Sequence, residues 1–126
     1  MKTIITTPKA PAPIGPYNQA TLCNGMLFIS GQIAFNVKTQ AFETSNIKEE
    51  TKLVMQNLKA ILFEADLTFE NVVKTSIFIK NMDDFIAINE VYGSYFNAET
   101  APARETVEVA RLPKDVNVEI SMIAML

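Results

Sequence analysis

Histidine is absent from the 126 residues, and cysteine occurs once, at Cys23. The first absence removes Ser-His-Asp and Cys-His nucleophilic arrangements. Together the two remove zinc sites built on histidine or on several cysteines. Acid–base work is left to carboxylates, tyrosine, lysine or bound water. One cysteine allows no internal disulfide, and nothing points to an oxidising compartment. In its apolar stretch Cys23 reads as a small core residue. No apolar run is long enough to span a bilayer. The opening MKTIITTPKAPAP lacks the apolar centre of a signal peptide. A basic excess is missing as well: the net charge is −3, with lysines and arginines scattered. Nucleic-acid affinity rests mainly on neutralising phosphates, so this balance argues against such a partner. The expectation is a cytoplasmic protein with no membrane or nucleic-acid partner.

What is present suits one folded domain over residues 1–126. The length is that of a single domain, and a chain of this size buries roughly two-thirds of its unfolded surface. The hydrophobic fraction of 48% is ordinary for a globular chain. TIITT, ending at Pro8, predicts a short strand. A proline-rich connection follows over 8–16. QATLCNGMLFISGQI reads as two strands joined at Asn24-Gly25, a dipeptide that favours positive φ at both turn positions. Gly31 then lets the backbone bend or be approached closely. Residues 36–46 read as a polar loop.

A first helix is expected from Asn46, whose side chain caps the free N–H groups while Glu49 and Glu50 suit the positive end of the helix dipole. Ile47, Thr51, Val54, Leu58, Ile61 and Ala65 make a stripe at helical spacing, and Asp66 is the stop. NVVKTSIFIK, 71–80, is a strand with Val73, Thr75, Ile77 and Ile79 on one face. Asp83 or Asp84 is expected to cap a second helix over 84–96, with Phe85, Ile88, Tyr92 and Tyr95 inward. Gly93 within it implies close packing at that point. ARETVEV, 103–109, and VNVEISMIAM, 116–125, are the last strands. The plan is α+β, with helices on one face of a mixed sheet and a right-handed parallel crossover from 72–79 to 103–109.

Two polar residues stand out on the closing strands. Arg104 begins a strand, and its guanidinium suits a carboxylate held by two parallel hydrogen bonds; the alternative is a surface arginine paired with a glutamate. Glu119 sits in an apolar strand on the face away from the helices. It is either a solvated outward residue or, if that face is covered, a carboxyl with a raised pKa able to carry a proton. Phe78, Ile123 and Met125 share that face, which is much apolar surface to leave wet. Covering it by self-association creates clefts between subunits. Tyr17 is either a core ring or a ring held by its Pro-Gly loop over a neighbour's cleft. Ser30 and Asn89 border apolar segments and serve either as local hydrogen-bonding groups or as ligand contacts.

IGPYNQA, FISGQI, NVVKTSIFI with DDF…NEVYGSYF, and PARETVEVARLPKDVNVEI occur in that order. In this, from Ala12 to Ile120, the chain resembles the RidA/YjgF reactive-intermediate deaminase family. The resemblance implies a chorismate-mutase-like six-stranded mixed sheet with two helices on one face. It also implies a homotrimer with sites between subunits. In that sheet the last strand is interior and the Arg104 strand lies at an edge, against the simple hairpin that 103–109 and 116–125 would otherwise make.

The implied activity is hydrolysis of 2-iminopropanoate and 2-iminobutanoate, products of pyridoxal-phosphate-dependent dehydratases, to 2-oxo acids and ammonia, with no metal or cofactor. A non-catalytic trimer that binds small carboxylates is the alternative. By the resemblance Arg104 holds the substrate carboxylate, and Glu119 positions water and shuttles protons. Backbone groups near Gly31 and Thr106 orient the imine, Tyr17 closes the pocket from an adjacent subunit, and Ser30 and Asn89 are supporting polar positions. The chain departs from the family pattern at several places. Thr106 stands where many members have cysteine, Glu105 where a small or apolar residue is usual, and Ser121 where a second glutamate is common. Gln40 and Asp66 stand where glycine is usual.

Overall fold

A computed structural model describes all 126 residues. Eight strands and two helices follow one another as β1 (Thr3–Ile5), β2 (Ala20–Cys23), β3 (Met26–Gln32), β4 (Phe35–Asn36), β5 (Ala41–Phe42), α1 (Ile47–Glu64), β6 (Val72–Ile79), α2 (Phe85–Gly93), β7 (Ala103–Glu108) and β8 (Val118–Met125). Six of the strands form one mixed sheet in the order β1-β2-β3-β8-β6-β7. The last strand therefore lies inside the sheet and the Arg104 strand at its edge. β6 and β7 run parallel, joined through α2, and the other neighbours in the sheet are antiparallel. No helix is long and apolar enough to cross a membrane.

Local chemistry accounts for most of these elements. Asn24 and Gly25 both take positive φ, 51° and 76°, at the turn between β2 and β3. The Asn46 side chain accepts from the Glu49 N–H and so caps α1. At the other end of α1, Asp66 turns left-handed at φ 59°. The Leu67 N–H then reaches back to Leu62 O at 2.9 Å and the Asp66 N–H to Phe63 O at 3.0 Å, a Schellman closure built on aspartate instead of glycine. The core lies between the helices and one sheet face. Val54, Met55, Leu58, Ile61 and Leu62 of α1 meet Leu27, Ile29, Ile77, Ile79, Val118, Ile120 and Met122 there, all buried.

Several expectations from sequence need correction. The stretch read as a loop over 36–46 contains the small hairpin β4–β5, which Phe35 and Phe42 close edge to face at 5.0 Å. Pairing of β6 with β8 shifts between Val72 and Lys74, so Val72 is buried and Val73 exposed, the reverse of strict alternation. The second helix is capped by neither aspartate. Asn81 accepts from the Asp83 N–H at the head of a 3-10 turn that runs into α2, and Asp84 makes no side-chain cap. α2 ends at Gly93, and Tyr95 and Phe96 beyond it pack their rings on Tyr92 or Phe69. Nothing packs against Gly93: a Cβ there meets no atom within 4 Å. Glu50, expected at the helix terminus as a dipole partner, is fully buried. Its carboxylate accepts from the Asn117 N–H at 2.8 Å and from Asn117 Nδ2 at 2.7 Å, fastening α1 to the start of β8.

Candidate functional site

The edge strand β7 carries the first cluster. In the sheet Arg104 sits beside Thr75 and Thr106 beside Ile77. Both neighbours are buried under the helices, so Arg104 and Thr106 face the helical layer. The Arg104 guanidinium rests over the Tyr92 ring at 5.2 Å and the Phe85 ring at 5.8 Å. Its Nη1 donates to Asn89 Oδ1 at 2.6 Å. Burial pushes the Tyr92 phenol above its usual range. The hydrogen bond with Thr75 (3.0 Å) and the nearby Arg104 charge pull it back part of the way. Arg104 makes no salt bridge: the three in the chain are Lys48–Glu90, Lys74–Glu105 and Lys80–Asp115. The guanidinium is thus stacked on two rings, pinned by a neutral amide and free of any carboxylate.

The edge adds backbone donors. Val109 N–H bonds Ile79 O at 2.9 Å. Two-residue alternation along a strand then turns the N–H groups of Arg104 and Thr106 away from β6, toward the free edge. The Thr106 hydroxyl oxygen is shielded from solvent and has no hydrogen-bond partner, the one buried side-chain polar atom in this state.

A second cluster occupies the open face. Glu119 sits beside Phe78 on β6, and its side chain is half-buried. Register between β3 and β8 shifts between Ile29 and Gln32, a bulge that contains Ser30 and Gly31. The Glu119 carboxylate lies directly over Gly31, where any Cβ would collide with it. Only glycine leaves the carboxylate in this position; any Cβ at 31 forces the Glu119 side chain to move. Loss of water raises the Glu119 pKa above the usual carboxylate range, and no cation pairs with it.

Tyr17, 49% exposed, and Ser30 line a shallow concavity of about 390 Å³ together with Lys2, Phe28, Ser121 and Ile123. Neither Glu119 nor Gly31 lines that hollow. The Ser30 hydroxyl is already committed, donating to Asn18 O at 2.6 Å.

The structure thus brings Arg104, Asn89 and Thr106 together, and separately Glu119 with Gly31, and Tyr17 with Ser30. It does not bring Arg104 to Glu119 within one chain. Thr75 and Phe78, their neighbours on β6, are three residues apart and point to opposite faces of the sheet.

Sequence reasoning treated Phe85 and Tyr92 as core residues only, and their place beneath Arg104 was missed. Their seven-residue spacing marks one helix face, but nothing in it says which strand residue lies above. Gln19 was also missed. Its buried amide receives the Thr7 N–H at 2.7 Å and donates to the carbonyls of Thr7, Ala10 and Pro11, fastening the proline-rich segment that leads to Tyr17.

A sequence profile for the family described as Endoribonuclease L-PSP matches residues 7–126. A RutC family protein of Synechocystis is 55% identical over 124 residues, 98% of this chain and 95% of that protein. A Rid-family protein of Yersinia pestis, of solved structure, superposes with a TM-score of 0.96 at 43% identity over the whole of both chains.

The chain belongs to the RidA/YjgF family.

Among its relatives in the family is a protein of Dermatophagoides farinae named 2-iminobutanoate/2-iminopropanoate deaminase. It is 44% identical over 125 residues, 99% of this chain and 97% of that protein. RidA/YjgF membership agrees with the sheet order and with the edge position of the Arg104 strand.

Proposed function

We propose that this protein hydrolyses small 2-imino acids, of the 2-iminopropanoate and 2-iminobutanoate kind, to 2-oxo acids and ammonia. The observation that carries the reading is the division of labour between the two sheet faces. One presents a cation free of carboxylates, beside free backbone donors. The other presents a desolvated carboxyl without a cation. Each is half of a site for an anion whose C=N bond must gain water. A second copy of the chain, in a homotrimer, supplies the missing half.

Arg104, steadied by Asn89, holds the substrate carboxylate. Glu119 of the adjacent protomer, over Gly31, accepts a proton from water as the hydroxide adds to the carbon of the protonated imine. The same carboxyl returns that proton to the carbinolamine nitrogen, and the C–N bond then breaks. As ammonia leaves, the hydroxyl proton passes to the Glu119 carboxylate and on to the ammonia, leaving the C=O bond of the 2-oxo acid. Tyr17 closes the pocket from the Glu119 side. The 44% identical deaminase supports the choice of substrate.

The test couples the protein to a serine or threonine dehydratase and follows 2-oxo acid formation. Wild type should speed the approach to product, while Arg104→Ala and Glu119→Gln each lose most of that effect. A Glu119→Gln protein that binds 2-oxobutanoate yet is inactive speaks against a purely ligand-binding role. Mixing the two inactive variants under conditions that allow subunit exchange should restore up to about one quarter of wild-type activity, because about that share of sites pairs two intact halves. Full activity of either single variant, or no recovery on mixing despite exchange, overturns the shared-site reading.

A further inference from the structure

The Arg104 guanidinium is held lightly. Its side-chain hydrogen-bond partner is Asn89 Oδ1, at 2.6 Å, and it rests on the rings of Tyr92 and Phe85. Phe85, Asn89 and Tyr92 are spaced by four and three residues, so one face of α2 supplies all three contacts. A long side chain with no carboxylate partner is only as fixed as the surface beneath it.

That surface is anchored from the sheet. The Tyr92 phenol donates to Thr75 Oγ1 at 3.0 Å, and both residues are buried. Thr75 lies on β6, in register with Arg104 on β7 and with Met122 on β8. The contacts therefore close a circuit. The sheet sets Thr75 beside Arg104, Thr75 holds the tip of the Tyr92 ring, and the ring carries the guanidinium at 5.2 Å. The same ring leans on Phe96, with centroids 4.8 Å apart. Burial raises the phenol pKa, so the hydroxyl remains a donor at neutral pH. Packing alone needs no hydroxyl at either place: phenylalanine and valine fill nearly the same space without burying a polar pair.

We propose that Tyr92 and Thr75 are a positioning pair, whose hydrogen bond fixes the tilt of the Tyr92 ring and so presets the Arg104 guanidinium for an incoming carboxylate. In this role neither touches the ligand; both act through Arg104. The inference rests on the imino-acid reading for the identity of the ligand and deepens it, since ordering the arginine beforehand removes a cost from binding. A hydrogen bond that only satisfied the core makes a different prediction. Removing one partner strands the other, whereas removing both leaves nothing unpaired. The stability lost in Thr75→Val is then recovered in the double variant Tyr92→Phe/Thr75→Val, but the orientation of Arg104 is not.

The experiment compares wild type, Thr75→Val, Tyr92→Phe and the double variant. Each is followed by thermal unfolding, by 2-oxobutanoate titration, by kcat and KM in the dehydratase-coupled assay, and by nitrogen NMR of the arginine side chains. Arg104 and Arg111 are the only arginines, so two Nε–H signals are expected. In wild type the Arg104 signal should be ordered and displaced by the rings beneath it. Thr75→Val should unfold at a lower temperature, and the double variant should recover most of that loss. The double variant should nevertheless bind 2-oxobutanoate about fivefold more weakly, the freedom regained by one long side chain. Its KM should rise more than its kcat falls, and its Arg104 Nε–H should become mobile. Tyr92→Phe, which keeps the ring, should show the same change in that signal. Wild-type affinity or an unmoved Arg104 signal in the double variant overturns the proposal. If wild type itself neither binds 2-oxobutanoate nor speeds product formation, the imino-acid reading fails, and the Arg104 signal alone decides the positioning role.

Discussion

At the scale of single residues, the Glu119–Gly31 contact ties chemistry to backbone most tightly. A methyl at position 31 displaces the carboxylate from its place over the bulge. Gly31→Ala should therefore lower kcat at least tenfold while leaving circular dichroism unchanged, and full activity would separate Gly31 from the site.

Glu119 also makes a stability prediction whose sign follows from desolvation. Its folded-state pKa is raised, so the fold disfavours the charged form. The penalty is absent below the unfolded value, about 4.3, and grows as pH rises through the folded one. Glu119→Gln should unfold at a higher temperature than wild type at pH 7, with the gap closing toward pH 4. Glu105 behaves in the opposite sense. Hydrogen bonds from Lys74 and Ser76 hold its pKa down, so its small contribution is present at neutral pH and fades on acidification. Comparing the two glutamine variants across that range separates the two causes.

At the scale of elements, the chain carries local conformations its residues do not favour. Asp66 and Gln40 sit at φ 59° and 58°, at the stop of α1 and at the turn between β4 and β5. Gly93 sits in α2 with open space around it. Gly93→Ala should stabilise the protein by roughly 0.5–1 kcal/mol, since glycine's freedom serves nothing there. Asp66→Gly should stabilise by a similar amount, about 1 kcal/mol, by relieving the left-handed strain. Chemical denaturation measures both, and Asp66→Ala, strained like the parent, should gain nothing.

At this scale the sequence was legible wherever a local rule acts alone. The Asn24-Gly25 turn, the Asn46 cap, the α1 stripe and the Asp66 stop are set by neighbours in the chain. The cap of the second helix was misread because the acceptor, Asn81, belongs to a 3-10 turn with no periodicity to reveal it. Val72 and Val73 were exchanged because a bulge answers to the partner strand.

For the whole molecule, the open sheet face decides behaviour. Phe28, Val107 and Met125 are 42%, 40% and 45% exposed in the isolated chain. An apolar strip of this kind on one sheet face is a surface that self-association covers. Phe28→Lys should shift the protein to monomer in sedimentation and abolish activity together, while the secondary structure persists. Activity retained by a monomer would contradict a site shared between copies.

Sequence by itself determined the elements and the inventory. Period, caps and turn residues act over a few positions, and the order of the motifs carries the family with its edge arginine and interior last strand. The missing histidine left acid–base work to carboxylates, tyrosine, lysine or bound water. Strand alternation already put Glu119 on the face away from the helices; only the tertiary structure decided that Arg104 stands on the opposite one. Facing depends on register across strands far apart in sequence, Thr75 beside Arg104 and Phe78 beside Glu119. A three-residue offset on β6 puts the two charged groups on opposite faces, because side chains on a strand alternate at every residue.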